Sequence, residues 1–337
     1  EFYGELKAKK ERAKIKKIKL KKTPKLPDSI LKEMDRLREV CETNMIFESD
    51  VVCCTLLTSA KKNLCKYRFH TVFIDEASQA SEISSIIPLI HQPSNLVLLG
   101  DHNQLGVYVD KSIKKKHPST TKSLYKKLLI KGVKSVMLNI QFRMHPLIVA
   151  FPNKEFYRGR IHNAGTVEKE TRIELQSVPT PIAFVDVDYG EEKRRKRDKS
   201  YINIEEAKIV ERLVNNLKIN DVPGSEVGVI TPYFGQSRLI FYLTKHLEYE
   251  GLKISCIDNF QGCEKDFIIL SVVRTNQQGN FGFLALRKRI NVALTRARKG
   301  MIIVGNFHAI NLNTDNVRNQ VLIDLCKFYH QNKAVMK

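Results

Sequence analysis

No uninterrupted apolar run in the 337 residues approaches the length needed to cross a bilayer, and no secretory signal opens the chain. Neither a membrane-spanning nor a secreted protein is therefore expected, and no membrane partner. The seven cysteines show no C-x-x-C pairing, and several lie within apolar runs, so they are expected to be reduced core residues of a cytosolic or nuclear protein. The sixteen glycines provide one G-x-x-x-x-G, from Gly300 to Gly305, followed by Asn306 and Phe307. It spans a strand-like run and is not a phosphate loop of the form G-x-x-x-x-G-K-[ST]. No close repeat relates one part of the chain to another. The chain opens mid-pattern at Glu1, without Met, and is expected to be a fragment of something longer.

What is abundant is positive charge. With 57 Lys and Arg against 36 Asp and Glu, the formal charge is +21. That excess favours a polyanionic partner such as nucleic acid over an anionic membrane face. The length is comfortable for two cores, and 42% hydrophobic residues is ordinary for a globular protein, so two α/β lobes are expected. Residues 6–25 alternate Lys with Ile, Leu and Ala and read as an arm, either solvated or touching phosphate. After Pro24 and Pro27 a helix is predicted over residues 29–41, with Asp28 as its N-cap. Short apolar runs at residues 51–57, 71–75, 96–100 and 135–138 lack in-out alternation, as strands covered on both faces do. A second set follows at residues 182–187, 227–231, 254–257, 267–273 and 301–305. Between them, residues 189–200 read as a polar loop whose basic cluster at 193–197 is either a solvated surface or an import signal.

Candidate chemistry gathers at the ends of these runs. Residues 72–79, VFIDEASQ, end a strand in two carboxylates, Asp75 and Glu76. Open α/β sheets place ligands at such ends, and a carboxylate pair suits magnesium carrying phosphate; the plain alternative is a strand end that caps the next helix. Gly100 to Leu105, GDHNQL, presents the Gln104 amide, which can orient water or sense a terminal phosphate, or can sit in an ordinary turn. In QFRMHP, Arg143 can reach a phosphate and Phe142 can stack on a base, with core packing of Phe142 as the competing explanation. In DNFQGCEKD, Gly262 lets backbone approach a ligand and Glu264 follows it. RINVALTRAR places Asn291, Thr295 and Arg298 in reach of one another at helical spacing, with Arg296 beside them. Arginines aimed across a cleft stabilise a transferring phosphoryl group; each arginine is otherwise a surface ion-pair partner.

In this order, FIDEASQ, GDHNQLG, QFRMHP, VGVITPYFGQ, DNFQGCEKDFIILSVVR and RINVALTRARKGMIIVGN resemble the motifs of superfamily-1 helicases of the Upf1-like group, from about residue 48 onward. The stretches FPNKEFYRGRIHNAGTV and NQQGNFGFL look like linking segments of the up-frameshift helicases of nonsense-mediated mRNA decay. The resemblance implies an α/β protein of two RecA-like lobes with mainly parallel sheets, the first incomplete at its N-terminus. Residues 1–47 would be a basic insertion, 48–139 a partial first lobe and 140–337 the second. It implies ATP and Mg²⁺ as ligands, with Asp75 and Glu76 holding the metal and polarising water, and Gln104 on the γ-phosphate. Arg143 and Arg296 would reach that phosphate across the cleft. Phe142, where the family usually has Tyr, would face adenine, with Glu264 and Gly262 near ribose and phosphate. Thr55, Thr231 and Pro232 would face nucleic acid. The implied partner is single-stranded RNA, or DNA as for other members; mRNA-decay factors follow from the resemblance only, as does a cytoplasmic address with the nucleus as a second.

The sequence also departs from the family. The phosphate loop, the adenine-recognition segment before it and the first strand are not among these residues. Either an N-terminal part is missing or the protein no longer hydrolyses ATP. The joint presence of Asp75, Glu76, Gln104, Arg143, Glu264 and Arg296 favours the first. After Gly106 stands Val107, where the family often has proline, which leaves the next loop's geometry open. The 337 residues alone are expected to bind RNA without hydrolysing ATP. A non-catalytic nucleic-acid-binding module is the alternative from another class.

Overall fold

The computed structural model describes residues 27–169, 181–276, 280–311 and 319–336, so the basic arm at 6–25 and part of NQQGNFGFL lie outside the described residues. Residues 1–73 and 83–97 form one unit, and residues 74–82 and 98–337 the other. Among the described residues no helix is long and apolar enough to cross a membrane.

In the first unit, helix α1 (Asp28–Glu48) runs longer than its sequence pattern predicts and has no buried residue. Its N-cap is Pro27, not Asp28; Asp28 lies in the first turn, where a carboxylate meets the positive end of the helix dipole. Strands β1 (Thr71–Ile74) and β2 (Asn95–Leu98) pair with each other as expected. Residues 51–57 form no strand. Val51 and Leu57 are exposed, and Thr55 opens a turn whose carbonyl accepts the Ser59 N–H at 3.1 Å. The run at 135–138 fails likewise: Val136 and Leu138 are each 85% exposed, and among the described residues no strand pairs with them. Apolarity alone cannot make a strand without a partner for its backbone.

The second unit carries one small sheet before its main one and another between two of its strands. Strand β3 (Ile140–Gln141) pairs with β4 (His162–Asn163), and they flank helix α2 (Pro146–Tyr157). The main sheet joins β5 (Ile182–Asp186), β8 (Val227–Thr231), β9 (Lys253–Cys256), β10 (Lys265–Ser271), β11 (Ala297–Gly305) and β12 (Val335–Met336). Their order is β12-β5-β11-β10-β8-β9, every pair parallel. Between β5 and β8, the stretch read as a loop instead holds an antiparallel hairpin, β6 (Glu192–Arg194) and β7 (Tyr201–Asn203).

Continuous apolarity is explained by the two faces. Ile268 and Leu270 of β10 pack with α2, α5 (Arg287–Leu294) and α6 (Gln320–Gln331) on one side. Phe267 and Ile269 pack with α3 (Ile204–Ile219) on the other, together with Ile240 of α4 (Phe234–Thr244). Helix α3 shows the matching period, burying Ala207, Val210, Val214 and Leu217, and Asn203 caps it by accepting the Glu206 N–H. Each fully buried Phe or Ile contributes about 2 kcal/mol by leaving water. All seven cysteines are free, but only Cys326 is buried, while Cys41, Cys53 and Cys54 are exposed. The expectation of core cysteines therefore holds for one: the runs that carry Cys53 and Cys54 are not covered.

Candidate active site

Two ends of the main sheet hold different chemistry, and most of the candidate residues stand at the amino end, where β10 and β11 begin. Helix α5 stops at Thr295, whose hydroxyl donates back to the Asn291 carbonyl at 2.7 Å, and the chain turns at once into β11. Arg298 is therefore a strand residue and not a helical neighbour of Asn291. Its Nε donates to the buried Asp266 carboxylate at 2.6 Å. Arg296 is left at the turn, only 3% exposed. It donates to the carbonyl oxygens of Val292 (2.9 Å) and Cys263 (3.5 Å), to the Thr295 hydroxyl (3.0 Å) and to Gln104 Oε1 (3.1 Å). Every one of these acceptors is neutral. Burial and the Arg143 charge pull its pKa down to about 10, although Glu76, Tyr157 and Glu264 act the other way.

Arg143 is held by a side-chain clasp. Gln141 Oε1 accepts the N–H groups of Arg143 (3.0 Å) and Met144 (2.7 Å), and fixes the turn that leads into α2. The guanidinium donates to the Thr295 carbonyl at 3.3 Å and forms an ion pair with Glu264. Glu264 is shared, since Arg298 stands 3.7 Å from its other oxygen. Gly262, at φ +74°, makes the left-handed turn that brings Glu264 to this position. Phe142 is 73% exposed, which overturns core packing as its role.

Gln104 owes its position to a network that sequence reasoning missed. Asp101 accepts from Gln104 Nε2 (3.0 Å), the Asn103 N–H (2.8 Å) and the Tyr157 hydroxyl (2.6 Å). Asn291 then donates to Tyr157 Oη (2.9 Å) and to the Asn103 carbonyl (3.1 Å). Burial and the Asp101 charge hold Tyr157 well above its ordinary pKa, so it stays a hydroxyl donor. Asp101 stands in plain view within GDHNQLG. Tyr157 carries no such signal, because its partner is 56 residues away.

Asp75 and Glu76 do not cap a helix. Asp75 is exposed and accepts the Glu76 N–H at 2.8 Å; Glu76, at φ +50°, accepts from Gln79 Nε2 at 2.7 Å. The turn is fixed by the Ala77 N–H on the Leu99 carbonyl (2.7 Å) and by Gly100, where a Cβ would come within 2.9 Å of the Ser78 nitrogen. At the opposite, carboxyl end of the sheet, Thr231 is fully buried and Pro232 half-buried. Thr55 lies in the first unit, exposed, with its hydroxyl 2.8 Å from that of Thr58.

Two guanidinium groups close together, one of them buried among neutral acceptors, suit the terminal phosphates of a nucleotide. Burial chiefly depresses Arg296, with the Arg143 charge second, and an anion there would offset both. Among the described residues, no three His, Cys, Asp or Glu side chains converge as a metal site of their own. Magnesium with a nucleotide does not need one, because it takes one or two carboxylates and fills the rest with phosphate oxygens and water. Asp75, exposed beside Glu76, fits that requirement.

Comparison with known proteins places these residues in context. An AAA domain model matches residues 120–308, and another matches residues 4–111. The regulator of nonsense transcripts 1 homolog of Arabidopsis thaliana is 38% identical over 290 residues, which is 83% of this chain and 23% of that protein. The ATP-dependent helicase NAM7 of Saccharomyces cerevisiae is 35% identical over 302 residues, 86% of this chain and 30% of its own length. The chain thus spans about a quarter to a third of these relatives. Among solved structures, the arterivirus nonstructural protein 10 helicase is 15% identical with a TM-score of 0.35, covering 74% of this chain and 40% of that one.

Proposed function

The chain belongs to the superfamily-1 helicases of the Upf1-like group, and we propose that it is the C-terminal portion of an ATP-dependent RNA helicase of mRNA surveillance that moves 5′ to 3′. The observation that carries this reading is Arg296, buried beside Arg143 and held by Gln104 without a carboxylate among its hydrogen bonds. In this reading residues 48–139 and 140–337 belong to two RecA-like lobes, and residues 1–47 to a basic insertion on the first. Arg143, Arg296 and Gln104 bind the γ-phosphate of ATP, Phe142 stacks on adenine, and Glu264 with Gly262 stands near ribose and phosphate. Glu76 orients and polarises the attacking water, and Asp75 holds magnesium, which when bound neutralises phosphate charge. Asp101 and Tyr157 act through Gln104 as positioning residues.

Single-stranded RNA is the proposed partner, with DNA as the alternative, and the cytoplasm the proposed address. The name regulator of nonsense transcripts belongs to the Arabidopsis relative, and its role in decay passes to this chain only as part of this proposal. In this reading the nucleic acid runs past Thr231 and Pro232 at the carboxyl end of the sheet, roughly 20 Å along β10 from Arg296, and Thr55 is a separate nucleic-acid-facing residue of the first unit. A second reading, a nucleic-acid-binding module without catalysis, is favoured by the +21 charge.

The test is RNA-stimulated ATP turnover and strand displacement by the natural full-length protein. Turnover abolished in Glu76→Gln, and displacement from duplexes with a 5′ overhang only, is the expected outcome. A full-length protein that binds RNA without turnover would establish the second reading instead. Binding without turnover is expected for the 337 residues alone.

A further inference from the structure

We propose that the β6–β7 hairpin, together with the exposed ring of Phe234, is a further single-strand RNA contact that grips phosphates at the carboxyl end of the main sheet. The inference rests on the nucleic-acid reading above and adds to it a surface that lies outside the motifs which carry that reading.

Residues 193–199 read KRRKRDK, six cations and one anion in seven positions. The backbone is paired there. Lys193 pairs with Ile202 and Arg194 with Tyr201, and the Arg195 N–H closes the ladder on the Ser200 carbonyl at 2.8 Å. At the tip, Asp198 pairs with Arg195 at 3.4 Å and accepts the Ser200 N–H at 3.1 Å. An import signal is read as an accessible extended segment, and residues 193–195 are already committed to a ladder. A surface that serves solubility spreads its charge and has no need to fix it in place.

The base of the hairpin is fastened on both sides. Glu192 accepts from Arg274 Nε (2.8 Å), the Thr275 N–H (2.8 Å) and the Asn276 N–H (3.2 Å), which ties it to the exit of β10. Ser200 Oγ accepts the Gly235 N–H at 2.9 Å, and Asn203 donates its N–H to Gln236 Oε1 at 2.9 Å, which ties it to the exit of β8. A Cβ on Gly235 would stand 3.1 Å from Arg195 Cδ. The hairpin therefore abuts the segment that begins with Thr231 and Pro232. Phe234, in that same segment, is 57% exposed with the Arg238 guanidinium 5.8 Å from its ring. Like charges crowded on a rigid support repel until an anion joins them. Fixed cations beside an exposed ring are the means by which proteins hold a single strand by backbone and base face.

The experiment compares three variants of the 337-residue chain on a short fluorescein-labelled oligouridylate, by anisotropy across a salt series. The triple variant Lys193→Gln, Lys196→Gln, Arg197→Gln removes three exposed cations that make no ion pair among the described residues. A control removes the same charge from Lys208, Arg212 and Lys327, all exposed on helices α3 and α6. The third is Phe234→Ala. The hairpin variant is expected to bind about tenfold more weakly near 0.1 M salt, with a salt slope shallower by about 2, as for three lost phosphate contacts. The control should stay within about twofold of wild type, and Phe234→Ala should weaken binding with its slope intact. Equal losses in hairpin variant and control would overturn the proposal in favour of net charge. So would a hairpin variant that binds as wild type while an import receptor captures the wild-type hairpin. If the wild-type chain binds no single strand, the underlying RNA reading fails; if it binds and only the hairpin variant is unaffected, the hairpin alone does.

Discussion

Arg274 and Arg296 are both buried, 5% and 3% exposed, and they mark opposite ends of the same sheet. Arg274, past the carboxyl end of β10, donates to Glu192 (2.8 Å) and to the Tyr233 hydroxyl (3.2 Å), and its guanidinium lies 4.2 Å from the Tyr201 ring centre. Burial pulls its pKa down, but Glu192 and Tyr233 outweigh that and hold it above the ordinary value. Arg296, before the amino end of β11, hydrogen-bonds to neutral acceptors only, and burial, with the Arg143 charge added, lowers it to about 10. One arginine is complete within the fold; the other, in the proposed function, takes its counterion from a nucleotide. A buried charge left without its counterion costs several kcal/mol, so a fold keeps one where a ligand supplies the partner.

The contrast can be broken from either side. The largest stability effect is expected at the carboxyl end, where Glu192→Ala strands the Arg274 charge and should cost about 3 kcal/mol in urea unfolding. Next comes Glu206, fully buried at that same end. It accepts the Ser271 hydroxyl at 2.7 Å and the Val273 N–H at 2.8 Å, yet burial outweighs these donors and pushes it up to about 8. The folded protein thus keeps a proton that the unfolded chain releases above about 4.5, and stability falls as pH rises from there to about 8. Glu206→Gln should flatten that slope across the window, in unfolding followed at several pH values. At the amino end, Arg296→Met removes a buried charge without a direct carboxylate partner and a few neutral hydrogen bonds, and the unfolding free energy should stay within about 1 kcal/mol of wild type. Smallest is Phe142→Ala: its exposed ring should change stability by less than about 0.5 kcal/mol, while the affinity of the full-length protein for adenine nucleotides falls and Phe142→Tyr keeps it.

The part of this that the sequence made legible is the part with one dominant force. Strands β8, β10 and β11 are continuous apolar runs because both faces are covered, and they lie where the pattern predicts. Motif order nominates Arg296, Arg143 and Gln104; Arg296 donates to Gln104, and Arg143 to the carbonyl of the neighbouring Thr295. The hairpin was not legible: its strands, EKR and YIN, are too short to carry a pattern, and their position is fixed by Glu192 and Ser200 reaching elements far along the chain. Arg298 was misplaced because helical spacing looked continuous through Thr295, where the hydroxyl turns back on the helix and ends it. Tyr157 was invisible for the same reason as the hairpin, since its role lies in a contact with Asp101 that no local pattern encodes. Residues 51–57 and 135–138 show the converse, apolar runs that pair with nothing among the described residues.

The most direct test of the central claim, that Arg296 awaits a phosphate, is RNA-stimulated ATP turnover by the natural full-length protein carrying Arg296→Ala, with thermal unfolding measured on the same sample. Turnover lower by about a thousandfold, with the unfolding midpoint within a few degrees of wild type, is the predicted result. Wild-type turnover in a folded Arg296→Ala protein would contradict it.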